Sequence, residues 1–314
     1  MDARRRDPSR AAERRGTASV PVAEAAVRYL PGMPGATIID GKAIAASVRE
    51  EVARRVKTLG RPVRLDAVLV GDDRPAEIYA ASQARTCAEV GIEYVLHRLP
   101  TGSDQDTVAG RVLLLNAEDH VRALMVHLPL PPGVDTERIQ SLIAPEKDVE
   151  GVNPANIGNV VYGRRSLVPC TALAVLHMID RTGVTLRGAN AVVVGASNIV
   201  GKPIAVLLMR QEATVISTNR WTRGLPALAR DADVLVAAAG VPGLIGAEMV
   251  KPGAVVVDVG INRITTPEGR SVTVGDVDFN AVSQVAGHIS PVPGGVGPVT
   301  VAMLLRNVID AAER

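Results

Sequence analysis

Three prolines and a histidine share the eight residues VHLPLPPG (126–133), and the histidine stands where an apolar run (ALMV, 123–126) gives out. A side chain that titrates near neutral pH at the end of a buried strand has two readings. Either His127 hydrogen-bonds the loop it introduces, or it faces a reaction site. In PAEIYAASQARTCAEVG (75–91), Tyr79 and Gln83 lie four residues apart and share one helix face. The chain has one Trp, four Tyr and one Phe, so a tyrosine one turn into a helix stands out. It is a stacking surface for an aromatic ligand or a cap on the core.

Two glycine-bearing segments carry further chemistry. After the apolar run AVVV, the turn GASNIVG (195–201) leads into a helical pattern. Gly195 lets the chain reverse, Ser197 is able to donate to a phosphate, and Gly201 lets the next helix lie close on the sheet. A helix start there offers free N–H groups and a positive dipole end to a pyrophosphate. The spacing is G-x-S-x-x-x-G and not the dinucleotide fingerprint, so an ordinary strand–helix turn is the competing reading. The next strand, ATVIST (213–218), ends without the Asp or Glu that would hold a ribose 2′-hydroxyl. Arg220 follows instead, and a cation there favours the 2′-phosphate of NADP. SPVPGGVGPVT (290–300) packs three prolines and three glycines into one segment. Glycines let backbone approach a flat ligand, and prolines hold the loop so that little ordering entropy is lost.

The elements that must position these groups alternate. Helical spacing over 41–60 stops at Gly60, LDAVLVG (65–71) reads as a buried strand, and 75–91 is a helix opened by Pro75. EYVLHRL (93–99) is a strand, 107–118 a helix, VRALMVHL (121–128) a strand and 136–144 a helix. The second half repeats the scheme, with a helix over 171–183 and a strand–turn–helix over 190–210. Strands follow at 213–218, 233–240 and 253–260, and a terminal helix over 298–314 is opened by Pro298. This order predicts an α/β fold with parallel sheets, in two lobes around a cleft and joined near 150–170. Ligands of such sheets bind beyond the carboxyl ends of the strands, where His127 falls.

The bulk numbers agree. At 314 residues with 47% hydrophobic content, the chain fills two domains, and its longest apolar runs, such as VLVAAA (234–239), are far short of a membrane span. A net charge of +2 gives no reason to expect nucleic acid or a membrane surface. Cys87 and Cys170 lie far apart and outside any metal-ligand spacing, so no metal is expected and a reducing cytoplasm is the expected compartment. Residues 1–36 are rich in Arg and Ala, lack periodicity and have no secretory core; they read as a disordered N-terminal extension.

Together these segments resemble the bifunctional methylenetetrahydrofolate dehydrogenase/cyclohydrolase family over about residues 37–312. The resemblance is carried by IIDGKAIA (38–45), VLVG (68–71), IYAASQ (78–83), HLPLP (127–131), PEKDVEGVNP (145–154) and PCTA (169–172). It continues in VVVGASNIVGKP (192–203), DVGIN (258–262), GDV (275–277) and PVPGGVGPVT (291–300). It implies a folate-binding catalytic domain from residues 37–155 with 292–314, and an NADP-binding Rossmann domain from 156–291. It also implies a homodimer and a tetrahydrofolate-type substrate. By the same resemblance Thr171, Gly195, Ala196, Ser197, Arg220, Gly240, Ile261 and Thr300 border the cofactor. Tyr79 stacks on the folate, and Leu128, Pro129, Glu150, Pro293, Gly294 and Gly295 line its pocket.

Three positions depart from the family pattern. Its enzymes usually carry Lys where this chain has Gln83, Gln where it has His127, and Asp where it has Glu150. Hydride transfer from the methylene carbon needs alignment and no obligatory proton carrier. Cyclohydrolysis needs a proton to leave water and another to reach a ring nitrogen, which a lysine of lowered pKa does and an amide does not. The expectation is therefore an NADP-dependent dehydrogenase with Tyr79, Gln83, His127 and Glu150 in its catalytic pocket and a weak or lost cyclohydrolase. The alternatives are His127 as a replacement base, an oxidoreductase of the same fold acting on another C=N or C–N compound, and a non-catalytic folate or nucleotide binder.

Overall fold

The computed structural model describes residues 35–266 and 269–314. The extension expected over 1–36 therefore falls outside the described residues, except for Gly35 and Ala36. In chain order the first elements are β1 (Thr37–Ile38), α1 (Gly41–Leu59), β2 (Val63–Val70), α2 (Arg74–Glu89), β3 (Ile92–Leu99), α3 (Gln105–Ala117), β4 (Leu124–Val126) and α4 (Thr136–Leu142). Then come α5 (Pro154–Tyr162), α6 (Cys170–Asp180), β5 (Asn190–Val194), α7 (Gly201–Arg210), β6 (Thr214–Thr218), α8 (Leu225–Arg230) and β7 (Val234–Ala237). The chain closes with β8 (Val255–Asp258), β9 (Asn262–Thr265), β10 (Ser271–Val274), α9 (Phe279–Val282), β11 (His288–Ile289) and α10 (Val296–Ala312). No helix among the described residues is long and apolar enough to cross a membrane.

Two parallel sheets organise the lobes. The first has the order β3-β2-β4, and the second β1-β11-β8-β7-β5-β6. In the second sheet β6 lies on one side of β5 and β7 on the other, so the strand order reverses there and a crevice opens at the carboxyl ends of β5 and β7. An antiparallel hairpin, β9-β10, stands beside it.

Several expectations are corrected. The strand expected over 121–128 is ordered only at 124–126, and Leu124 also pairs outward, its N–H donating to Lys147 O at 2.7 Å. The joining segment holds a helix, α5, capped by Asn153 and started by Pro154. The terminal helix begins at Val296, two residues before Pro298. Residues 37 and 38, expected with the first lobe, form β1, which adds to the edge of the second sheet through β11.

Helix starts differ between the halves. In the first, α1 to α5 are each capped by a side chain, from Asp40, Asp73, Asp104, Asp135 and Asn153. In the second, α6, α7 and α10 begin at Pro169, Val200 and Gly295 with no side-chain cap. In α7 the first N–H groups are taken within the turn itself, Gly201 N–H by Ser197 Oγ and Lys202 N–H by Ser197 O ahead of Pro203, and in α6 Cys170 N–H donates to Glu150 O.

One continuous core joins both sheets. It runs from Leu65 and Ala67 of β2, through Val48 and Val52 of α1 and Met303, Leu305 and Val308 of α10, to Val193 and Val236 of the second sheet. Within it, Asn307 donates from Nδ2 to Val149 O at 2.8 Å and to Val168 O at 2.9 Å. That amide holds α10 against the segment leading to Glu150 and the one leading into α6. Asn307→Ala leaves two buried carbonyls short of a donor and is expected to cost about 2–4 kcal/mol. The check is a urea titration, in which the midpoint falls at unchanged slope; an unmoved midpoint would rule out this role.

Candidate active site

The ladder of the first sheet reaches one residue past β4, since His127 N–H donates to Val68 O at 2.8 Å. The imidazole then turns inward, only 3% exposed, with Nε2 at 2.6 Å from the Tyr94 hydroxyl. The Tyr79 ring meets it edge-on at 5.9 Å between centroids. Burial lowers the His127 pKa to about 4 and pushes the Tyr94 phenol up. Both groups are neutral at physiological pH, and the contact is a hydrogen bond between uncharged partners. Tyr79 is 47% exposed, and its phenol is pushed up to about 12 by burial and by the carboxylate of Glu150.

Beside them lie polar groups with nothing to bond. Gln83 is 2% exposed, yet neither Oε1 nor Nε2 has a partner. Glu150 leaves part of its surface open, but its Oε2 is buried and unpartnered. Burial and then the neighbouring Asp148 push Glu150 up to about 8, against the Val126 N–H, which favours the ionised form. The loop around it is fixed, because Asp148 accepts from Gly151 N–H, Asn153 N–H and the Asn156 amide. Buried polar atoms without partners cost roughly 1–3 kcal/mol each, and here two such side chains lie beside Tyr79.

The crevice of the second sheet is built by close backbone approach. At Gly195, with φ of 117°, a Cβ would fall 2.1 Å from Ala238 O, so only glycine lets the ends of β5 and β7 meet. Ser197 Oγ accepts from Gly201 N–H at 3.3 Å, which leaves its own proton to donate outward. With the Ser197 hydroxyl proton free and no carboxylate at the end of β6, the crevice suits a phosphorylated dinucleotide. Asp276 accepts from the N–H groups of Ala239 and Gly240 at 2.6 and 2.9 Å and thereby shapes the loop after β7. Asp258, raised to about 6 by burial, accepts from the N–H groups of Gly260, Asp276 and Val277.

A cavity of about 230 Å³ lies against these loops, lined by Asp258, Ile261, Thr273, Pro293, Gly294 and Gly295 among others. The start of α1 abuts it, since a Cβ on Gly41 would fall 1.9 Å from Gly295 O. The larger cavity of about 380 Å³, between Asp180 and Arg210, holds none of the residues singled out from the sequence.

Tyr79 and His127 thus touch, Glu150 acts electrostatically on Tyr79, and Gln83 lies one turn further along α2. Leu128 and Pro129 leave the pocket on the exposed loop. Gly195, Ala196, Ser197 and Gly240 form the crevice turns, and Ile261 shares a cavity with Pro293, Gly294 and Gly295. Thr171 and Thr300 lie near the uncapped starts of α6 and α10. Arg220 stands outermost, exposed beyond β6 with its guanidinium over Trp221. Sequence reasoning missed Tyr94 and Asp276. Tyr94 was detectable only as one of four tyrosines, and Asp276 only through the GDV motif.

Residues 39–150 match the catalytic domain of tetrahydrofolate dehydrogenase/cyclohydrolase, and residues 169–314 its NAD(P)-binding domain. The chain belongs to the tetrahydrofolate dehydrogenase/cyclohydrolase family. It is 46% identical over 282 residues to the bifunctional protein FolD of Moorella thermoacetica, covering 89% of this chain and 99% of that one. It is 47% identical over 287 residues to that of Bordetella petrii, covering 90% and 96%. Among solved structures it resembles bifunctional FolD of Campylobacter jejuni, with a TM-score of 0.83, 40% identity and coverage of 88% of this chain and 98% of that one. The Trypanosoma brucei methylenetetrahydrofolate dehydrogenase-cyclohydrolase, solved with NADP and an inhibitor, aligns with a TM-score of 0.84, 36% identity and coverage of 90% and 99%. Residues 169–314, which carry the crevice of the second sheet, are therefore an NAD(P)-binding domain.

The raised Glu150 has a consequence for stability. An unfolded glutamate releases its proton near 4.5, and the folded one near 8. Between those values the unfolded chain binds fewer protons, so rising pH favours unfolding; below 4.5 and above 8 the effect is flat. Glu150→Gln removes the titration. Its stability relative to the parent is expected to rise from pH 5 to about pH 8 and then level off. Urea midpoints of both chains across that range test this, and a pH-independent difference would refute it.

Proposed function

We propose that this family member is an NADP-dependent methylenetetrahydrofolate dehydrogenase whose cyclohydrolase step is weak or lost. When bound, the nicotinamide would supply the hydride acceptor for this oxidation. The protein's part is alignment. Tyr79 offers its ring to the pterin, while the unpartnered Gln83 amide and Glu150 carboxyl offer hydrogen bonds to its polar edge. The 291–298 loop forms a wall, the 195–201 turn and the start of α7 hold the pyrophosphate, and Arg220 holds the 2′-phosphate.

The reading of the second step rests on one observation: the group at position 83 is a buried amide with no charge to give. For methenyl to become formyl, water adds to the carbon, loses a proton, and the ring nitrogen takes one as its bond to carbon breaks. Gln83 neither accepts nor donates that proton. His127 is a poor substitute, since burial makes it a weak base and Nε2 is already bonded to Tyr94.

With methylenetetrahydrofolate and NADP, the expected products are NADPH and accumulating methenyl compound. Gln83→Lys is expected to raise formyl formation by about 10²- to 10⁴-fold. Formyl product from the unaltered chain above the no-enzyme rate would overturn the loss. NADP binding without NADPH formation would point to a different C=N or C–N substrate.

The homodimer implied by the resemblance has a suitable face. β6 is an outer strand whose far edge is unpaired among the described residues, and a groove of about 350 Å³ beside it is lined by Val160, Val161, Pro203, Val206 and Met209. Ile216, Val161, Tyr162 and Met209 add exposed apolar surface there. Light scattering is expected to give the mass of two chains, and Ile216→Lys with Met209→Glu the mass of one. A monomeric parent would exclude the assignment.

A further inference from the structure

Trp221 is the only tryptophan in the chain, and it lies 76% exposed in the loop after β6. An indole is among the largest apolar surfaces a side chain can bury, so its position in water calls for a reason. A slack loop is not that reason. Trp221 N–H donates to Asn219 Oδ1, Asn219 N–H to Thr222 Oγ1, and Thr222 N–H to Asn219 O, each at 2.9 Å. The turn is closed from both ends, and on it the Arg220 guanidinium carbon lies 4.9 Å from the indole centroid. The turn issues beside the phosphate-type turn of β5, because Thr218 O accepts Gly195 N–H at 3.1 Å.

We propose that Trp221 is a positioning and specificity residue whose ring face holds Arg220 ready for the 2′-phosphate of NADP. The inference rests on the NADP reading of this crevice. A guanidinium on a free three-methylene stem would lose rotamer freedom on capturing a phosphate. Stacking on the indole restricts the stem beforehand, through the attraction between a cation and the negative ring face. A stacked guanidinium still presents its N–H groups at its edge, and that edge grips a phosphate through two parallel bonds. Among the described residues no carboxylate or carbonyl takes those N–H groups. The device discriminates because NAD has only a hydroxyl at that carbon, so Trp221 acts on the affinity for one dinucleotide and not the other.

The test is calorimetric titration of the full chain with NADP and with NAD, repeated for Trp221→Ala and Trp221→Phe. The parent is expected to prefer NADP. Trp221→Ala is expected to bind NADP about threefold to fivefold more weakly with NAD unchanged, and Trp221→Phe to recover most of the difference. Because the indole is unique, its emission in the parent should change with adenosine 2′,5′-bisphosphate and stay constant with adenosine 5′-monophosphate. A parent without preference for NADP overturns the NADP reading and this inference together. A preference that survives Trp221→Ala overturns the inference alone. Equal loss of both affinities would mean that the indole supports the loop and not the cation, and overturns it too.

Discussion

The buried amide of Asn307 is bonded at once to Val149 O and Val168 O, and the geometry of the site depends on that fork. Helix α10 starts at the glycine-rich wall of the cleft and packs its buried face on α1 and α6. Its apolar side alone would hold it there, but apolar packing is tolerant of small slides. The amide removes that tolerance, because its partners are single atoms at hydrogen-bond distance. One of them precedes Glu150 directly and the other lies two residues before Cys170, whose N–H in turn donates to Glu150 O. The carboxyl of the first lobe and the helix start of the second are thus located by the same side chain.

On this frame the catalytic pocket is left unfinished. Elsewhere buried carboxylates are fully engaged, as Asp148 and Asp258 are by three N–H donors each. Gln83 and Glu150 Oε2 have none of this support, although the surrounding elements are rigid enough to provide it. Three other buried polar atoms, on Gln105, Ser166 and His177, are also unpartnered, so what sets Gln83 and Glu150 apart is that both lie beside Tyr79.

Much of the fold was legible in the sequence because its signals are local. Alternating apolar strands and helical faces gave the α/β order, and Gly60 ends α1 in the left-handed conformation that its position suggested. What escaped depends on distant partners. β1 is two residues long and exists through β11, far along the chain. Leu124 of β4 also bonds Lys147 and bridges Asp148 at its other edge, a pairing set by a segment more than twenty residues on. The pairing of Tyr94 with His127 crosses the central strand of the first sheet, and no spacing conveys it. The isolation of Gln83 is likewise a fact about its neighbours and could not be read from its own segment.

The unequal treatment of helix starts extends to the energetics of the whole chain. In the first half Asp and Asn side chains complete the helices from within, so that half is as stable alone as it will be with a ligand at those ends. In the second half α6 and α10 start without a side-chain cap, whereas the first N–H groups of α7 are already taken by Ser197. A dinucleotide bound in the crevice would stabilise that half, and the stability of the crevice would follow the logarithm of its free concentration. Resistance to unfolding and to proteolysis would then track the cell's supply of the coenzyme, with the two ends of one polypeptide responding differently to the same change in metabolism.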